Sequence, residues 1–180
     1  MSMNNFFVVI FATVTGYLNT AVAADNVQEA SIEILKGSGS IQGLRVAYKP
    51  WLAHLADIAF VGRASIYLEA SLNLWRHDKP TLYDNNIALA FSPVIRKEFT
   101  TLIDYPVSWE LGIGISVLSE RQFGGKDLGS YFQFEDRLGL VLHLDDSKHL
   151  ALRYIHYSNG GFSNNNPGMD FLNLAYSWQF

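Results

Sequence analysis

The chain has 180 residues, a formal net charge of −4 at pH 7 and no Cys. This length fits one domain, the acidic balance argues against nucleic-acid binding, and the missing thiols exclude disulfides, thiolate metal sites and a Cys nucleophile. After residue 25 no apolar run approaches the about 18 residues that a spanning helix needs.

The N-terminus resembles a secretory signal. An apolar run begins at Phe6 and is followed by Ala21-Val22-Ala23-Ala24, the small-residue pattern that signal peptidase cleaves. An N-terminal membrane anchor is the alternative, but the apolar core is short and Thr, Gly and Asn interrupt it. We therefore expect residues 1–24 to be a cleaved signal peptide and residues 25–180 to form a single exported domain.

Beyond the signal, apolar residues recur with a period of two, which indicates strands with two different faces. The alternation is clearest where Trp109, Leu111 and Ile113 interleave with Glu110 and Gly112. Turn-rich stretches such as GGKDLGS and NGGFSNNNPG separate the segments. Eight such segments follow one another, near residues 27–36, 41–50, 63–75, 84–93, 105–118, 131–144, 149–158 and 169–180. Residues 51–62 are long for a turn and could extend a strand.

The two faces differ in a way that favours a membrane barrel over a water-soluble sandwich or lipocalin-like barrel. One face is continuously apolar, and the other mixes small residues with single charges such as Glu69, Glu110, Glu135, Arg137 and Arg153. This pattern is typical of a narrow lumen filled by ion pairs, with the apolar face toward lipid. The sequence therefore predicts an all-β, eight-stranded antiparallel barrel in the bacterial outer membrane, with both termini in the periplasm.

Strand parity then predicts a reactive patch on the lipid-facing wall. In the seventh strand His156 and Ser158 are in phase with the apolar face, and in the eighth strand Asp170 is in phase with it too. The connecting loop would bring Asp170 beside His156, and a tight turn would lay Phe134 of the sixth strand beside Ser158. Stability alone gives no reason for a lipid-facing carboxylate.

These side chains are the reagents of ester hydrolysis. Ser158 would be the nucleophile, His156 the general base and later the general acid, and Asp170 the group that orients the imidazole and stabilises its cation. The remaining His residues lack metal-binding spacing, so we expect neither a metal nor another cofactor.

At these residues the chain resembles the outer-membrane lipid A 3-O-deacylase family, the PagL type. The resemblance rests on F-E-D-R at 134–137, H-Y-S-N at 156–159, the Asn-rich loop and the aromatic C-terminal strand. It implies hydrolysis of the ester-linked 3-hydroxyacyl chain at position 3 of lipid A by a serine-type triad, here His156, Ser158 and Asp170. It further implies oxyanion or loop-ordering roles for Asn159, Gly161 and Asn166, and an acyl-groove role for Phe134. The family acid is Glu, whereas this chain has Asp.

Two other interpretations stay open from the sequence. An enzyme similar to outer-membrane phospholipase A also has H-x-S, but that family has Asn as the third residue, a longer chain and calcium at a dimer interface. A non-catalytic structural or adhesive barrel would have no reason to direct a His and an acid at lipid. The expected partners are lipopolysaccharide and outer-membrane lipids, with a homodimer as an open alternative.

Overall fold

The computed structural model describes residues 23–25, 27–58, 61–80 and 83–180. Nearly all of the predicted signal peptide, residues 1–22, therefore lies outside the described residues. Residues 23–25 form a short strand that pairs antiparallel with residues 52–54. The boundary at residue 24 stays a prediction.

Eight long strands form the fold within these ranges. They are β1 Glu29–Gly37, β2 Ile41–Ile58, β3 Gly62–His77, β4 Asn85–Leu102, β5 Tyr105–Leu118, β6 Phe132–His143, β7 Lys148–Ser158 and β8 Met169–Gln179. Each pairs antiparallel with the next, and β8 also pairs with β1. This last pairing closes the sheet, so the prediction of an eight-stranded antiparallel barrel is confirmed.

Two strands are longer than predicted. β2 continues through residues 51–58 after a register shift at Trp51, and β4 continues to Leu102. The extension of β2 agrees with the possibility that residues 51–62 partly extend a strand, whereas the alternation fades in the extension of β4 and did not reveal it. β4 and β5 are joined by the two residues Ile103 and Asp104, whose φ angles of 47° and 68° are those of a tight hairpin turn.

The barrel has two unlike ends. The connections 59–61, 103–104 and 144–147 are short, and we call this side the turn end. The connections 38–40, 78–84, 119–131 and 159–168 form the other side, the loop end. Within 119–131, the strands Gln122–Phe123 and Lys126–Asp127 pair as a small hairpin. With the predicted topology, the loop end faces the cell exterior.

The outer wall is apolar and exposed. Large side chains on it such as Ile34, Leu74, Leu89, Leu138 and Leu172 are between 47% and 61% accessible. A continuous apolar surface of this kind on a closed barrel is the surface that contacts lipid. Among the described residues no helix is long and apolar enough to cross a membrane.

The lumen holds the ion pairs that the sequence predicted. Arg137 Nη2 lies 2.5 Å from Glu69 Oε1 and 2.9 Å from Glu135 Oε1, and Arg153 Nε lies 2.5 Å from Glu110 Oε1. All five side chains are buried. Each charge therefore has an opposite charge within hydrogen-bond distance, as burial in a narrow lumen requires.

Candidate active site

Strand parity places His156, Ser158 and Asp170 on the outer wall at the loop end. The inward-facing neighbours Tyr157 and Phe171 are fully buried, whereas the three outward-facing residues are only half-buried. His156 is directly paired with Asp170 across β7 and β8. The structure therefore brings the three residues together on one wall.

The carboxylate of Asp170 accepts two hydrogen bonds on one oxygen. His156 Nδ1 lies 2.7 Å from Asp170 Oδ1, and the Tyr154 hydroxyl donates to the same oxygen at 2.5 Å. A proton on Nδ1 leaves Nε2 with its lone pair free to accept a proton. The Asp170 carboxylate thus selects the tautomer that a general base needs.

Ser158 is two residues beyond His156 on the same face. Its hydroxyl makes no hydrogen bond to any of the residues that the structure describes, so it is free to turn toward the imidazole. Positions i and i+2 of a strand are separated by roughly 6.5 to 7 Å along the backbone. Closing this gap needs a rotation of the His156 and Ser158 side chains, a change that commonly accompanies substrate binding.

An aromatic cluster inside the barrel supports the site from behind. Trp75 packs against Phe171 with ring centroids 4.9 Å apart and against Tyr157 at 4.8 Å. The Tyr157 hydroxyl donates to Glu135 Oε2 at 2.7 Å. Tyr157 lies between His156 and Ser158 in the chain, so this packing fixes the backbone from which both side chains project.

A second carboxylate faces His156 from the other side. Asp136 of β6 points outward and is directly paired with His156, opposite to Asp170. Its carboxylate has no hydrogen-bond partner among the described residues, and His156 Nδ1 bonds to Asp170 alone. His156 therefore lies between two acids, of which one orients it.

In the loop between β7 and β8, the three oxyanion candidates Asn159, Gly161 and Asn166 differ in the hydrogen bonds that they make. Asn159 is buried, and its Nδ2 donates to Leu128 O at 2.9 Å and to Asn165 O at 2.6 Å. Its Oδ1 accepts the Gly161 N–H at 2.9 Å. The side chain of Asn159 and the backbone N–H of Gly161 are thus engaged in hydrogen bonds that order the loop.

Asn166 is arranged differently. Its Oδ1 accepts the backbone N–H of Asn159 at 3.0 Å. This bond fixes which way the amide faces, and Nδ2 is left without an acceptor among the described residues. A donor with a fixed direction beside a serine is what stabilisation of an oxyanion requires.

Gly168 closes the loop against the imidazole of His156. Its φ is +63°, and a Cβ on it would lie 2.8 Å from His156 Cε1. Any other residue would therefore be strained and would push the ring away. Lys126 donates to the carbonyl of Gly168 at 3.0 Å from the neighbouring loop.

The 119–131 loop contacts the 159–168 loop through Asp127 and Gly129, and we call this contact the loop clamp. Asp127 accepts the Gly129 N–H at 3.0 Å and the Asn165 side chain at 3.2 Å. Because the Gly129 N–H and the Asn165 amide favour the charged form, the pKa of Asp127 is lowered from its ordinary value of 3.8. At Gly129 a Cβ would lie 2.1 Å from Asn165 O, so only glycine lets the loops meet.

An aromatic surface adjoins the serine. Phe134 is directly paired with Ser158, and its ring packs against Phe132 at 5.2 Å and against Phe162 at 5.8 Å. Phe162, at the loop tip, is 77% exposed. This surface offers an apolar wall for an acyl chain beside the serine.

Sequence reasoning gave no role to four residues of this neighbourhood. Parity places Tyr154 and Asp136 on the outward row, but it does not show which side chains they bind or face. Gly168 and Asp127 are not detectable in this way, since their roles depend on how two loops fold against each other. Within the described ranges, no group of three or more His, Asp or Glu side chains is arranged to hold a metal ion.

The fold and the site together define a class: a small closed membrane barrel with a Ser, a His and an acid on its lipid-facing wall. Comparison with known families makes this specific. Residues 42–179 match the family model described as "Lipid A 3-O-deacylase (PagL)". The chain belongs to this family, and it is an outer-membrane β-barrel.

Individual relatives agree with this assignment. The chain is 46% identical over 71 residues to the lipid A deacylase PagL of Bordetella bronchiseptica and 33% identical over 115 residues to that of Pseudomonas aeruginosa. These matches cover 39% and 64% of this chain and span 40% and 65% of the two relatives.

Solved structures extend the likeness to the whole barrel. The crystal structure of the outer membrane enzyme PagL superposes with a TM-score of 0.68 at 26% identity, covering 83% of this chain and 98% of that one. Neisserial surface protein A shares the fold, with a TM-score of 0.56 at 15% identity, covering 88% of this chain and 99% of that one.

Proposed function

We propose that this chain is a serine-type lipid A 3-O-deacylase of the outer leaflet. The observation that carries the proposal is the hydrogen bond between His156 and Asp170, formed on the lipid-facing wall beside Ser158. An ester carbonyl of a lipid in the outer leaflet would meet this row without leaving the membrane interface. Family membership supports lipid A as the lipid.

The reaction begins with attack of Ser158 Oγ on the carbonyl carbon of the acyl ester. His156 Nε2 takes the hydroxyl proton, and Asp170 stabilises the imidazolium that results. The carbonyl oxygen becomes an oxyanion, which Asn166 Nδ2 stabilises as a hydrogen-bond donor. No metal and no cofactor are needed for these steps.

Collapse of the tetrahedral intermediate breaks the ester bond. The 3-oxygen of the glucosamine leaves with the proton that His156 holds, and the acyl group stays on Ser158. Water then attacks this acyl-enzyme with His156 as base, which releases the 3-hydroxy fatty acid and restores the serine. The Phe134 surface would hold the leaving acyl chain throughout.

The test is mass spectrometry of lipid A from cells that express the wild type, Ser158→Ala or His156→Asn. We expect the wild type alone to remove one 3-hydroxyacyl chain, with fragmentation placing the loss at position 3 and with no effect of a chelator. Ser147→Ala, in a turn at the opposite end, is the matched control and should act as the wild type does.

Other results would favour the other interpretations. Calcium-dependent release of fatty acids from phospholipids would identify a phospholipase A-like enzyme. Lipid A and phospholipids that both stay intact, with correctly folded protein in the membrane, would identify a non-catalytic barrel.

A further inference from the structure

A groove on the outer wall next to the triad has no role in the scheme above. Its volume is about 730 Å³, and its wall is formed by apolar side chains of β1, β2, β3, β7 and β8, including Leu44, Leu74 and Leu172. Three polar side chains, Lys36, Gln42 and Arg76, line the same groove. We call Lys36, Gln42 and Arg76 the basic margin of the groove. An apolar wall with such a margin fits an anionic amphiphile.

The basic margin lies at the loop end. Lys36 and Arg76 are the last residues but one of β1 and β3, and Gln42 is the second residue of β2. The three are consecutive cross-strand neighbours, with Lys36 paired with Gln42 and Gln42 with Arg76. They form one row near the level of the lipid headgroups.

The two cations are available for a ligand. Both side chains are exposed, and within the described ranges neither forms an ion pair. Gln42 Nε2 donates to Asp78 Oδ1 at 2.8 Å, so Asp78 is bonded to the amide of Gln42. At the level of the lipid headgroups a cation costs little, and two cations on one row, without an ion-pair partner among the described residues, form a site for a negative group.

The groove and the triad share a wall. Lys36 is directly paired with Leu172, and Leu172 with Tyr154, whose hydroxyl binds Asp170. Two strand spacings separate Lys36 from Tyr154, or roughly 10 Å. The aromatic surface around Phe134 lies on the other side of the triad, so the scissile chain and the groove are on opposite sides of Ser158.

We propose that the groove binds the phosphorylated end of the same lipid A molecule whose ester is cleaved. Lipid A is a phosphorylated diglucosamine with several acyl chains, so Lys36 and Arg76 would bind a phosphate and the apolar wall would hold the chains that are not cleaved. This inference rests on the proposed function. It adds that Lys36 and Arg76 make the enzyme specific for phosphorylated lipid A.

The experiment compares the purified protein on lipid A and on enzymatically dephosphorylated lipid A in the same detergent. We expect Lys36→Gln or Arg76→Gln to raise KM for phosphorylated lipid A by about fivefold each, and the double variant by more, with kcat nearly unchanged. On the dephosphorylated substrate the variants should equal the wild type. Arg63→Gln removes an exposed cation at the other end of β3 and is the matched control.

Failure of this inference is distinct from failure of the proposed function. If wild type cleaves neither substrate, the proposed function is wrong. If wild type cleaves both and the double variant does so with unchanged KM, the phosphate site is wrong. An equal loss on both substrates also overturns the phosphate site, because the two side chains would then act without regard to phosphate. Heat-dependent mobility on electrophoresis gels confirms that each variant is a folded barrel.

Discussion

His156 Nδ1 and Asp170 Oδ1 lie 2.7 Å apart, a full hydrogen bond, although the resemblance to the family implies Glu at this position. The shorter acid reaches the imidazole because the two residues are directly paired across β7 and β8. Directly opposite residues have Cβ atoms only about 4.5 to 5.5 Å apart. An Asp is therefore long enough to orient the imidazole.

We predict that Asp170→Asn lowers kcat for lipid A deacylation by roughly 10³-fold, because the amide can present a donor to Nδ1 and cannot stabilise the imidazolium. Asp170→Glu should retain more activity than Asp170→Asn, since it keeps the charge. Fatty-acid release by the purified variants in detergent measures both. Equal activity of Asp170→Asn and wild type would show that the acid has no part in the reaction.

Tyr154 is a positioning residue for the same carboxylate. Its hydroxyl donates to the oxygen that also accepts the His156 proton, so it holds Asp170 toward the imidazole. We expect Tyr154→Phe to lower kcat by roughly three- to tenfold, the value of one hydrogen bond, with KM unchanged. The exposed Tyr176→Phe on β8 is the control. A rise in KM with normal kcat would instead place Tyr154 in substrate binding.

The fold and the candidate site can be predicted from the sequence only where apolar residues alternate regularly. A period of two fixes which side chains share a wall, and so it was sufficient for the closed barrel, for the lumen pairs around Glu69 and Arg137, and for the outward row of His156, Ser158 and Asp170. It cannot show where a strand ends when both faces turn polar, as happens from Arg96 onward in β4. It is also silent on loops, where Asn159 and Asn166 look alike and only folded geometry distinguishes them.

The two asparagines give a matched pair of variants. We expect Asn166→Ala to lower kcat by about 10²-fold or more, since its Nδ2 is a free donor and its Oδ1 binds the N–H of Asn159, the residue after Ser158. Asn159→Ala should instead loosen the loop, because Asn159 binds Leu128, Asn165 and Gly161 within it. Limited proteolysis of the folded barrel should therefore cut the loop faster in Asn159→Ala than in Asn166→Ala. The reverse pattern would exchange the two roles.

Gly168→Ala should disable the site without unfolding the barrel. The added methyl group would lie 2.8 Å from His156 Cε1 and would displace the ring from Asp170. Gly125→Ala is the control, since Gly125 has a similar positive φ of +78° but open space around its Cβ position. We expect a drop in kcat of at least about tenfold for Gly168→Ala. Gly125→Ala should show only the backbone strain, as a small loss of stability. Equal activity of the two variants would mean that the contact with His156 has no effect.

The loop clamp at Asp127 predicts a specific dependence on pH. Its folded-state pKa is lowered below 3.8, first by the hydrogen bond from the Gly129 N–H and then by that from Asn165. A group of this kind stabilises the folded loop fully above its unfolded pKa and loses that contribution as pH falls through the folded pKa. The clamp should therefore be intact from neutral pH down to about pH 4, and it should open only as pH falls further, through the folded pKa below 3.8. In NMR spectra of the detergent-solubilised barrel, the Gly129 amide resonance should titrate with a midpoint below 3.8.

Asp127→Asn should abolish this titration and lower kcat severalfold at pH 7, because the Asn165 segment beside Asn166 is then held less firmly. A Gly129 resonance that titrates at 3.8 or above would contradict the clamp, since the carboxylate would then gain nothing from its two donors.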